Sequence, residues 1–163
     1  MKVIPLLQKE FENEGRTTRK FLKAVPEDKF DWKPHEKNRS LLQLAKHIAD
    51  LESVIEVGIH KDEYDLSEKT DNSGSVESSE ELIDLFDKNY KASMTALNKA
   101  GENDLLKEWT MRNGEQVIAE MNTYGIIRQT ISHINHHRAQ LGVYLRLLDV
   151  PLPDSYGPTA DDR

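Results

Sequence analysis

The sequence has no cysteine. That removes three chemistries at once: a disulfide framework, a cysteine nucleophile and any thiolate metal site. A metal held by this chain must sit on nitrogen and oxygen donors, and a reaction that needs sulfur must bring it in on a cosubstrate. Long apolar runs are also missing. No stretch approaches the ~20 consecutive apolar residues of a transmembrane helix. The opening MKVIPLLQKEFENEGRTTRK turns charged at once and lacks a signal-peptide core. A cytoplasmic location without a membrane partner is the expectation. Positive charge is in deficit, with 22 Lys and Arg against 29 Asp and Glu and a formal net charge of −7. Such a surface repels phosphate backbones, which argues against nucleic acid as a partner.

What is present is a chain of 163 residues, 37% of them apolar, a length suited to one domain over residues 1–163. Apolar residues recur at helical spacing in four segments. The first spans about Ile4 to Ala24 and stops at Pro26. The second starts at Ser40, where Ser40 and Gln43 form an S-x-x-Q capping box, continues through Leu41, Leu44, Ile48, Leu51 and Ile55, and ends at Gly58. A polar loop fills 59–78. The third helix runs from near Ser79 to Gly101. Residues 108–121 then change period. Asn113-Gly114 lies between runs of alternating apolar residues, the pattern of a tight β-hairpin. Asn122 or Thr123 caps the fourth helix, which reaches about Leu148 before Pro151 and Pro153 end it. The expected fold class is all-α: a four-helix bundle with a short β-hairpin inserted before the last helix.

Three of the six histidines fall in ISHINHHRAQ. On the fourth helix Ile126, Thr130, His133, His137, Gln140, Tyr144 and Leu147 share one stripe, beside an apolar stripe from Ile127 to Leu148. His133 and His137 are one turn apart on the edge of the core face. His136 is rotated by about 100° from His137 and should point elsewhere. His47 lies three residues after Leu44 and four before Leu51, on the buried face of the second helix. His35 and His60 fall in polar loops. Two imidazoles from one helix and one from another make a three-nitrogen tripod, which leaves a coordination position open. A shared ion ~2.0–2.1 Å from each nitrogen would bring the nearest ring nitrogens within about 3–3.5 Å. The plainer readings are a hydrogen-bonded core histidine and a chance His-x-x-x-His pair. Against them, imidazoles that interrupt an apolar stripe are costly unless something satisfies them. Other histidine chemistries fit less well. Ile134 stands where a zincin needs glutamate, and Leu44, Thr130 and Ile134 stand where a di-iron bundle needs it. There is no C-x-x-C-H and no G-x-S-x-G elbow.

With FDWKPHEKNRSLLQLAKHIADLE around His47, INHHRAQLGVYLRLLDVPLP after His133, and the tail YGPTADD, the chain resembles the DinB/YfiT-like family of four-helix metalloproteins. The usual family wording H-x-x-x-H-R-G-Q reads here with Ala139 in place of glycine, a better helix former that removes no ligand. The resemblance implies a divalent metal ion, zinc or nickel, on His47, His133 and His137. It also implies a small-molecule substrate, in some relatives a low-molecular-weight thiol such as bacillithiol, and a homodimer. Relatives include thiol S-transferases, a thiol-dependent isomerase relative and hydrolases. The function expected is therefore activation of a thiol or of water at a three-histidine metal site. The alternatives are a non-catalytic metal-binding stress protein and a dimeric interaction bundle. No catalytic acid or base is identifiable. Gln140, one turn beyond His137, and Tyr144, on the same stripe, are candidates to contact substrate or to support the site, with bundle hydrogen bonding and core packing as their plain readings. Arg138 either pairs with Asp50 or Glu52 between helices or receives an anionic substrate. Tyr156 is expected to fold back over the end of the bundle. Val3, Ile4 and Leu7 are the apolar surplus available for a dimer contact.

Overall fold

Helix α1, Ile4–Lys23, has no side-chain cap of its own. Glu102, from far along the chain, takes its first N–H groups, accepting from Val3 and Ile4 at 3.0 and 3.1 Å. This computed structural model describes residues 2–68 and 74–162. Residues 69–73 of the expected polar loop lie outside the described residues. Helix α2, Leu41–Leu51, opens on the capping box read from the sequence. Ser40 Oγ accepts from the Gln43 N–H at 3.2 Å, and Gln43 Oε1 accepts from the Ser40 N–H at 2.9 Å. Helix α4, Ser79–Lys99, is capped by Ser78, and α5, Thr123–Leu147, by Asn122. Each cap satisfies first-turn N–H groups that a helix cannot satisfy internally.

The second helix is not continuous. It breaks at Glu52 and Ser53 and resumes as α3, Val54–His60. Ser93 of α4 bridges the break: its hydroxyl donates to the Glu52 carbonyl at 2.5 Å and accepts from the Glu56 N–H at 3.0 Å. Gly58 does not end this helix as expected. It is buried inside α3, where a Cβ would come 2.8 Å from Ile126 Cγ2, so glycine is what lets α3 approach α5.

The hairpin is present, with β2 at Glu108–Asn113 and β3 at Gln116–Asn122. Its tight turn sits one residue later than Asn113-Gly114 suggests. Asn113 pairs with Gln116, and Gly114, at φ +59°, takes the first loop position. A third strand, β1 at Glu63–Asp65, was unread within the polar loop. It pairs parallel to β2, Glu63 opposite Thr110, and Asp65 accepts from the Gly114 N–H at 2.9 Å. The result is a four-helix bundle with a small sheet before its last helix. No helix among the described residues is long and apolar enough to cross a membrane.

The apolar interior falls into two clusters. One gathers Phe21 and Leu22 of α1, Leu44 and Ile48 of α2, Leu82 and Phe86 of α4, and Ile134, Leu141 and Leu145 of α5. The other gathers Leu7 and Phe11, Ile55, Leu97, and Ile127 and Ile131. Between them in sequence lie the buried polar side chains Thr18 on α1, Glu52 at the α2–α3 break and Ser93 on α4, and Arg138 of α5, from within the first cluster, reaches Thr18. Tyr90 packs against both clusters.

Candidate metal centre

The capping box starts α2 so that His47 falls two turns in, on the face toward α5. On α5, His133 and His137 occupy successive turns of the same face. The structure brings these three together, with one ligand-capable nitrogen from each lying within 4.8 Å of the others. His133 Nε2 and His137 Nε2 face each other at 2.9 Å. The His47 ring stands nearly perpendicular to both, at centroid distances of 5.5 Å to His133 and 4.6 Å to His137. The 4.8 Å envelope is wider than the ~3–3.5 Å expected of nitrogens sharing one ion, although the closest pair lies inside it. His137 is buried, His47 half-buried and His133 exposed, so the cluster opens to solvent on the His133 side.

Burial holds the His137 imidazole below the ordinary histidine range. A hydrogen bond to Gln140 opposes this, and the charges of His136 and Arg39 add to it. A neutral ring is the form that can donate a lone pair to a cation. The other ring nitrogen is already engaged: His137 Nδ1 lies 2.7 Å from Gln140 Oε1. With Nδ1 donating to that oxygen, the lone pair is left on Nε2, the atom turned toward His133. The donor set therefore fits a metal ion on chemical grounds: three imidazoles, the buried one neutral with its Nε2 lone pair turned toward His133.

The remaining candidates separate. Gln140 is at the site, bound to His137. Tyr144 is buried, accepts from Asn38 Nδ2 at 3.0 Å, donates to the Arg39 carbonyl at 3.3 Å and meets Trp32 edge-on. It holds the loop before α2 onto α5. Arg138 is 3% exposed and turned into the bundle. It donates to Glu14 Oε2 at 2.7 Å, Thr18 Oγ1 at 3.1 Å and Tyr156 OH at 2.8 Å. Its carboxylate partner is thus Glu14 of α1, where Asp50 or Glu52 was expected; Glu52 lies near enough to feel its charge. Tyr156 does fold back, with its hydroxyl between Arg138 and Glu14. His35 only closes a local turn, its Nδ1 accepting from the Lys37 N–H. His60 lines a separate groove of about 550 Å³ between α3 and α4 with Glu56, Lys88 and Lys91.

His136 was expected only to point away from the site, and its contact with Gln140 was not foreseen. Its ring is exposed, as helix geometry required, yet it lies 5.0 Å from the His137 ring, and its Nε2 is 3.0 Å from Gln140 Nε2. The signal was available in the i,i+4 spacing of His136 and Gln140.

The model of the DinB family matches residues 1–162 of this chain. Among solved structures, a DinB-like protein from Bacillus subtilis aligns with a TM-score of 0.72 at 18% identity, over 94% of this chain and 99% of that one. A DinB-like protein from Bacillus cereus aligns with a TM-score of 0.73 at 22% identity, over 92% and 95%. At these identities the likeness is one of fold. A comparison with curated proteins finds no match.

Proposed function

The chain belongs to the DinB family, and from that premise we propose that it holds a divalent metal ion, zinc or nickel, on His47, His133 and His137 and uses it to activate a thiol or water against a small-molecule substrate. The observation that carries this reading is the convergence of an imidazole from α2 with two from α5. Nitrogen donors without carboxylates suit zinc and nickel better than calcium or magnesium. Three protein ligands leave room for a substrate atom. Such an ion supplies Lewis acidity, which makes water or a thiol acidic enough to lose its proton near neutral pH. The chain's own part is to present the three lone pairs, to keep His137 neutral by burial and to leave the His133 side open. With no cysteine available, thiol chemistry here takes its sulfur from a cosubstrate.

The test begins with elemental analysis of untagged protein, alongside His47→Ala and His137→Ala checked for folding by circular dichroism. The parent should carry stoichiometric metal and both variants only traces. Metal content unchanged in either variant overturns the ligand set. Turnover by the loaded parent, with low-molecular-weight thiols plus electrophiles and with ester and amide substrates, then distinguishes transfer from hydrolysis. Bound metal without turnover on either panel would favour the non-catalytic metal-binding alternative.

A further inference from the structure

Resting on that reading of the site, we propose that His136, although not a ligand, positions the metal-binding nitrogen of His137 through the side-chain amide of Gln140. Gln140 lies three residues after His137 and four after His136, so its side chain reaches both rings from the next turn. Its oxygen is 2.7 Å from His137 Nδ1, and its nitrogen is 3.0 Å from His136 Nε2. The two contacts are complementary. An amide has one accepting and one donating end. The end that accepts from His137 Nδ1–H keeps the proton off Nε2, and the end that donates to His136 Nε2 fixes which way round the amide sits.

Without His136, nothing among these contacts prevents the exposed amide from turning over. Its NH₂ would then face His137 Nδ1. That nitrogen would become the acceptor, the proton would move to Nε2, and the atom turned toward His133 would have no lone pair to give. His136 opposes this alternative: in its Nδ1–H tautomer its Nε2 is an acceptor, and that acceptor is matched only by the orientation in which the amide nitrogen faces it, as found. Groups that orient ligating histidines in this way typically matter by ~10–100-fold in metal affinity. The two adjacent histidines of HHRAQ thus have different work, one to bind and one to aim.

The measurement is zinc affinity, by competition with a chelating dye, for the full chain and four variants. Gln140→Leu should weaken zinc binding by ~10–100-fold. Gln140→Glu should retain it, because a carboxylate accepts from Nδ1–H with either oxygen. His136→Phe, which keeps a ring and removes the nitrogens, should weaken binding in the parent. The same change should have no effect in the Gln140→Glu background, a non-additivity that packing alone would not produce. Nitrogen-15 NMR of the metal-free protein should show His137 protonated at Nδ1 in the parent and redistributed toward Nε2 in His136→Phe. An equal loss from His136→Phe in both backgrounds, or an unchanged His137 tautomer, overturns the proposal. If the parent itself takes up no zinc, the metal reading falls, and the tautomer spectra alone decide the link between the two rings.

Discussion

Both carboxylate oxygens of Glu52 are buried without a hydrogen-bond partner among the described residues. Burial pushes this carboxyl up to about 8, with the Arg138 charge pulling it down and the Glu14 charge pushing it further up. A carboxyl raised in the folded state is protonated there across a range in which the unfolded chain has already lost the proton. Its contribution to stability is therefore fully present below about pH 4.5 and is lost as pH rises toward 8, at up to ~1.4 kcal/mol per pH unit. Glu52→Gln keeps the volume and removes the titration. In urea unfolding of metal-free protein, the variant should gain on the parent by a few kcal/mol between pH 5 and pH 8. A difference that is the same at both pH values would mean that the carboxyl is not held protonated. Residues such as this were hidden in the sequence: Glu52 follows an apolar stripe like any solvated helix end, and its burial depends on a helix break that no local signal marked. The candidates His47, His133 and His137 were legible, because a 3.6-residue period places His47 and His137 on inward faces and His133 on the edge of one; that the three share one point was what the family resemblance implied. The partners of Arg138 were not legible, since they depend on how α1 and the tail lie across α5.

At the level of elements, the break between α2 and α3 is where the sequence reading was too simple. Ile55 and Gly58 continue the helical spacing of Leu44, Ile48 and Leu51 closely enough to read as one helix. What divides it is tertiary: Ser93 of α4 supplies an acceptor to the Glu56 N–H and a donor to the Glu52 carbonyl. Ser93→Ala leaves both backbone groups without that partner in the interior. The expected cost is ~1–3 kcal/mol, read as a lower urea midpoint at unchanged slope, with a smaller loss for Ser93→Thr if its added methyl can be housed. An alanine variant as stable as the parent would show that the break does not depend on this hydroxyl. The β1 strand was missed for a similar reason. Three residues in a charged stretch carry no period of their own, and they become a strand only because β2 offers an edge.

For the whole molecule, the family resemblance implies a homodimer, but the residues first considered for it are occupied. Ile4 and Leu7 are core, and Val3 packs against them. We propose that two copies meet instead along α5, where Val143 and Leu147 are 60% and 59% exposed beside a groove lined by Phe21, Gly142 and Leu152. Light scattering at micromolar concentration should give twice the 18.7 kDa chain mass, and Val143→Asp should return the single mass. A parent already at the single mass rules out the dimer. The four-helix plan was legible from spacing and caps, whereas the division of the interior into two apolar layers was not, because it is set by which polar residues from separate helices share a level. Those residues, Thr18, Glu52, Ser93 and Arg138, act as a vernier for the bundle. Sliding one helix by a turn, about 5.4 Å, would carry its polar group into an apolar layer and strand the partners it left, at several kcal/mol for a charged one. The lengthwise settings of α1 against α5, through Arg138 with Thr18 and Glu14, and of the α2–α3 break against α4, through Ser93, are thus determined in the interior, and the helices that carry the three imidazoles are held at their levels before any ion has to draw them together.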